Sequence, residues 1–120
     1  MKETVKNVSP DAETVTNAAG GKQSASAYAF HLCDTGALLA LAETMQKGAA
    51  KYQRDNWRKI PFEEHFNHML IHYYAWLSGD RSDDHLAHMF CRAMMLYATA
   101  KCEEEAEQFS GFATEDANDS

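Results

Sequence analysis

Apolar residues recur at helical spacing in three stretches between Asp34 and Ala100; outside them the chain is polar and without period. The first stretch puts Leu38, Leu41, Ala42 and Met45 on one face, with Asp34 or Thr35 placed to cap its start and Gly48 expected to interrupt it. Glu43 stands beside that stripe. A short turn through Ala49, Ala50, Lys51 and Tyr52 follows. The next run, Gln53 to Arg58, has no period and reads as a loop ending at Pro61, and loops this rich in polar and aromatic groups often hold ligands.

A second helix is predicted with Pro61 at its first position and Glu63 and Glu64 in its first turn, where carboxylates complement the helix dipole. Its apolar face is Phe62, Phe66, Met69, Leu70, Tyr73 and Leu77, and Gly79 ends it. The third is predicted to start after Ser82 as cap, with Leu86, Met89, Phe90, Ala93, Leu96, Tyr97 and Ala100 as its stripe. A short turn at Gly79 to Ser82 makes these two helices antiparallel neighbours. The expected architecture is all-α: a compact bundle of three to four helices over residues 26–110, with a disordered polar tail at 1–25 and an acidic tail at 111–120.

Charge narrows the partners. A net charge of -7 over 120 residues argues against a broad electrostatic grip on nucleic acid or on an anionic membrane. The apolar runs around Ala37 to Ala42 and Met69 to Leu77 are too short to span a bilayer, and the N-terminus has no signal-peptide core, so a cytoplasmic protein is expected. Cys33, Cys91 and Cys102 form no CxxC pair and read as reduced, mostly buried thiols; a catalytic cysteine has no nucleophile motif to support it.

Histidine carries the chemical signal. Five of the six lie between His65 and His88, among Asp80, Asp83 and Asp84. At 100° per residue, His65, His68 and His72 fall on one border of the second helix, and His85, His88 and Arg92 on one border of the third. Antiparallel packing brings His72, Asp80, Asp84, His85 and His88 towards one end of the bundle, which suits a metal-assisted or nucleotide-handling site. The plain alternative is that these are satisfied boundary residues around a helix cap. His31 and His65 in particular read as structural or solvent-facing, and Met94, Met95 and the aromatic stripe as core.

The segments Leu39-Ala-Leu-Ala-Glu43, Gly48-Ala-Ala-Lys-Tyr52, Asn56-Trp57-Arg58, Gly79-Asp80 and Asp84-His85-Leu86-Ala87-His88 occur in a meaningful order. Together they resemble the phage dATP/dGTP diphosphohydrolase (MazZ-type) N-terminal domain family, over about residues 37 to 97. The resemblance implies kinship with all-α nucleoside triphosphate pyrophosphatases, in which helix-borne carboxylates bind magnesium and water cleaves the α–β phosphate bond. It implies a phage-encoded hydrolase working in the host cytoplasm, a nucleotide ligand, and a homo-oligomer with a site that protomers can share. On that basis Glu43, Asp80, Asp84 and His88 are the candidate ligands of Mg²⁺ or Mn²⁺, with Asp83 in reserve, and His85 or His72 orients or deprotonates the attacking water. Lys51 and Arg58 would meet phosphate oxygens, Trp57 or Tyr52 would stack on the base, and Asn56 would read its edge.

The chain departs from the wider pyrophosphatase pattern of Glu-x-x-Glu and Glu-x-x-Asp. Glu43 is followed three residues later by Gln46, and only Asp80 to Asp83 imitates the second motif. Two other readings follow: a noncatalytic nucleotide-binding protein that sequesters a signalling nucleotide, and a helical interaction module with no nucleotide affinity.

Overall fold

The computed structural model describes the backbone of residues 4–118 and side chains as far as residue 107. The chain divides into two units, Met1–Asp34 and Thr35–Ser120. In the first, β1 (Thr14–Thr16) and β2 (Lys22–Ser24) form an antiparallel hairpin with Val15 opposite Gln23. The six strand residues are all exposed, so the hairpin leaves no alternating apolar pattern for sequence to display. Asparagine side chains hold it instead. Asn17 Oδ1 accepts the amides of Ala19 and Gly21 across the turn, and Asn7 bonds the backbone of Glu13 and Ala25. A 3₁₀ turn at Phe30–Leu32 follows.

The second unit is helical: α1 (Thr35–Tyr52), a 3₁₀ turn (Asn56–Lys59), α2 (Phe62–Leu77) and α3 (His85–Asn118). No helix among the described residues is long and apolar enough to cross a membrane. The all-α class is the one the patterning predicts, and the differences are local. α1 runs unbroken through Gly48, where no atom lies within 4 Å of an added Cβ; a lone interior glycine weakens a helix by about 1 kcal/mol without breaking it. Pro61 caps α2 rather than opening it, its carbonyl accepting the amides of Glu64 and His65. At the other end Gly79 adopts φ +93°, and the amides of Gly79 and Asp80 return to the carbonyls of Trp76 and Ala75, the glycine-terminated pattern expected there. The cap of α3 is Asp84, not Ser82: Asp84 Oδ1 accepts the Ala87 amide at 3.1 Å, while Ser82 donates its amide and hydroxyl to Asp80. α3 continues to Asn118, and the side chains of the acidic stretch 111–120 lie outside the described residues.

α3 packs against α2 and, less extensively, against α1 and the 3₁₀ turn. The seam between α2 and α3 is polar. His65 is fully buried, His85 nearly so, and His72 and His88 are half-buried, whereas the only apolar side chains buried among the described residues are Ala87 and Cys91. Much of the stripe that periodicity assigns to the core faces outward: Phe66, Tyr73 and Leu77 on α2 and Leu86, Phe90 and Tyr97 on α3 are all exposed. The histidine borders of the two helices therefore form the interior of the pair.

Candidate functional site

α1, the 3₁₀ turn and α3 line a cleft of about 1390 Å³, with His65 and His72 of α2 reaching into it. Its lining carries five Lys and Arg side chains against four carboxylates, although the whole chain has a net charge of -7. The positive groups are concentrated near the end of α1 and the following turn: Lys47, Lys51, Arg54 and Arg58, with Arg92 contributed by α3.

The turn is a constrained piece of backbone. Gln53 and Asp55 both have positive φ, at 80° and 64°, a conformation that costs a non-glycine residue about 1 kcal/mol or more. From there Trp57 enters the cleft half-buried, with the Arg58 guanidinium 4.3 Å above its ring and Asp55 holding Arg58 at 3.1 Å. Lys51 lies 5.0 Å over the ring of Tyr52, which is exposed on the same wall. Asn56 is half-buried beside them.

Glu43 lines the wall opposite α3 and is paired with Lys47 at 3.0 Å. Both ends of that pair are largely exposed, so the contact is worth little by itself. Asp83 and Asp84 line the cleft at the start of α3, each already engaged: Asp83 accepts the Asp84 amide and lies 3.3 Å from His88 Nε2, and Asp84 caps the helix. Asp80 does not reach the cleft. Its hydrogen bonds from Ser82, and then the nearby His85 ring, hold its carboxyl at about 2, below the ordinary 3.8.

His72 lines the cleft together with His88, on which it stacks. Its ring lies nearly parallel to His88, 4.9 Å between centroids, and its Nδ1 is 3.0 Å from His85 Nδ1. Burial first, then neighbouring His88 and His85, lower its pKa from 6.5, so it is neutral at pH 7. His85 is buried behind it and does not line the cleft. Its Nε2 is 3.3 Å from Asp80 Oδ1, within ion-pair distance but without a formed hydrogen bond. With Asp80 ionised, the arrangement that suits all three groups puts the His85 proton on Nε2 and the His72 proton on Nδ1. His72 Nε2 then carries the lone pair.

Of the residues singled out by sequence, Glu43, Lys51, Tyr52, Asn56, Trp57, Arg58, His72, Asp84 and His88 share the cleft, and Asp80 and His85 do not line it. Sequence reading passed over Lys47, Arg54 and Arg92 and set His65 aside. His65 Nε2 donates to the Trp57 carbonyl at 3.0 Å, and its Nδ1 accepts from Arg92 Nη1 at 3.0 Å. The signal available beforehand was positional, since His65 and Arg92 stand on the histidine borders of their helices. Cys91 is buried with its thiol pushed upward by desolvation, the wrong direction for a nucleophile.

Among the described residues, no group of three or more His, Cys, Asp or Glu side chains is arranged to hold a metal ion. Glu43, Asp83, Asp84 and His88 have suitable donor atoms, but they do not converge and each carboxylate has an internal partner. Among the described residues of one chain, these donors do not form a magnesium or manganese cage.

Residues 17–108 match the model of a family described as dATP/dGTP diphosphohydrolase, N-terminal. No curated protein and no solved structure matches the chain.

Proposed function

Starting from the chain's membership of the dATP/dGTP diphosphohydrolase N-terminal family, we propose that the cleft binds a purine deoxynucleoside triphosphate and that the protein hydrolyses it to monophosphate and pyrophosphate. The observation that carries this reading is the excess of cationic side chains around Trp57 and Tyr52 in an otherwise acidic chain. A triphosphate brings several negative charges, and Lys51, Arg54 and Arg58 supply opposing charge where a base can stack on Tyr52 or on the face of Trp57 away from Arg58.

Hydrolysis forms a bond from water oxygen to the α-phosphorus and breaks the bond to the bridging oxygen, which leaves with pyrophosphate. His72 is placed to take the proton of that water at Nε2, being neutral and backed by His85. The family resemblance makes Mg²⁺ or Mn²⁺ the cofactor to test, and the outward apolar face of α2 and α3 supports a homo-oligomer in which a second chain completes the site. We place this activity in the cytoplasm, in the infected host if the chain is phage-encoded.

The internal partners of Glu43, Asp83 and Asp84 favour one other reading, capture of a nucleotide without cleavage. One experiment separates them. The protein is incubated with dATP or dGTP, with Mg²⁺, Mn²⁺ or a chelator, and products are resolved by chromatography beside calorimetric titration. Monophosphate and pyrophosphate are the expected products, abolished by chelator if a cation is needed; tight binding with intact ligand would establish capture instead. Trp57→Ala is expected to weaken nucleotide binding by about 1 to 3 kcal/mol, and an unchanged affinity would move the base elsewhere.

A further inference from the structure

The most buried side chain among the described residues is a histidine with both nitrogens engaged. A guanidinium has five N–H donors and no acceptor, so the 3.0 Å contact from Arg92 Nη1 requires an unprotonated Nδ1 on His65. The ring's one proton is then on Nε2, donated to the Trp57 carbonyl. His65 is thereby fixed as a neutral spacer between α3 and the turn that carries Asn56, Trp57 and Arg58. Neither nitrogen is left to act as a base or a metal ligand.

Arg92 is the unusual partner. No carboxylate among the described residues pairs with it, which holds also for exposed cations such as Lys51 and Arg81, but Arg92 is half-buried where every other Lys and Arg among the described residues is exposed. A neutral imidazole orients the guanidinium without neutralising it. Arg92 also lines the cleft, with N–H donors beyond the one given to His65. A cation withdrawn from water, held in place and left without a counter-ion is a prepared site for an oxyanion.

We propose that Arg92 binds a phosphoryl group in the cleft through its remaining N–H donors, and that His65 is the positioning residue that holds both Arg92 and the Trp57 turn for that contact. The proposal rests on the nucleotide reading for the identity of the natural ligand, and its chemistry extends to any polyphosphate. Arg92 then anchors the phosphate chain from α3, across the cleft from Lys51 and Arg58.

The test is calorimetric titration of the full chain with two probes, inorganic pyrophosphate and dGTP, for the wild type, Arg92→Met, His65→Leu, His65→Gln and the double variant His65→Leu/Arg92→Met. Circular dichroism checks that each is folded. Arg92→Met is expected to weaken pyrophosphate binding by about ten- to a hundredfold, the range for losing hydrogen bonds to a charged group. His65→Leu should lose a comparable factor and the double variant little more, because both changes remove one unit. Glutamine can accept from Arg92 and donate to Trp57, so His65→Gln should recover much of the affinity, which general loosening of the core would not produce.

If single variants fail to fold, the double variant decides, since replacing both partners by apolar side chains leaves only the Trp57 carbonyl unmatched and no stranded guanidinium or imidazole nitrogen. Wild-type affinity in Arg92→Met or in the double variant would overturn the proposal while leaving the nucleotide reading intact. Pyrophosphate binding that depends on Arg92, with no affinity for dGTP, would sustain the oxyanion site and remove the nucleotide. Binding of neither probe by the wild type would sink both.

Discussion

His65 and His72 are kept neutral by removal from water, and that couples their protonation to folding. Desolvation is the first cause of the lowered pKa at both, opposed at His65 by the Trp57 carbonyl and reinforced at His72 by His88 and His85. The unfolded chain takes up protons at these rings near pH 6.5, and the folded chain does so only at lower pH. Their contribution to stability is therefore complete above 6.5 and is lost as pH falls from there through the folded values. The thermal midpoint should drop between pH 7 and pH 5, well before Asp80, held near 2, begins to titrate. A midpoint constant over that range would mean that both rings titrate as exposed imidazoles. Sequence could place His65, His68 and His72 on one helical border by angle alone. It could not say whether that border faced inward, because that depends on which side of α3 covers it.

Elements were legible wherever a local rule fixed them. Apolar spacing located α1, α2 and α3, and Gly79 marked the end of α2 because only a left-handed residue allows the closing bonds to Trp76 and Ala75. The misplaced features were those with two local solutions: Ser82 and Asp84 are both good caps, and the structure uses Asp84. The hairpin at Thr14–Ser24 was invisible because it is held by asparagine side chains rather than by a buried face. Two glycines give opposite tests. Gly79→Ala should destabilise by about 1 kcal/mol, a backbone cost with no clash since nothing lies within 4 Å. Gly48→Ala should stabilise by up to about 1 kcal/mol, since open space surrounds a helical position. Urea unfolding measures both, and equal signs would contradict these assignments.

At the scale of the molecule, the candidate site follows from a helix pair whose most buried positions include His65 and His85. The apolar stripe was read correctly as a stripe, but only part of it is covered: Phe66, Tyr73, Phe90 and Tyr97 are exposed, whereas Met69, Leu70, Met89 and Leu96 are half-buried and histidines take the most buried places. With so few apolar side chains buried among the described residues, folding alone gains little, and covering the exposed apolar residues of α2 and α3 with a second copy would add what is missing. Its thermal midpoint should accordingly rise with protein concentration, and Phe90→Asp should abolish that rise and shift sedimentation to a single chain. A concentration-independent midpoint would remove the oligomer. The same packing brings Glu43, Trp57 and His72, far apart in sequence, into one cleft that Asp80 and His85 do not line.

The bond between His65 and Arg92 also constrains how such a chain can diverge. Changing either partner alone leaves a buried donor or acceptor unmatched, a penalty of about 1 to 3 kcal/mol that is a large share of the stability of any small domain. Exchanging both together avoids it. Inherited changes at the two positions should consequently arrive as pairs, so that residue 65 in any descendant foretells residue 92, twenty-seven positions further along the chain, without either having to be invariant.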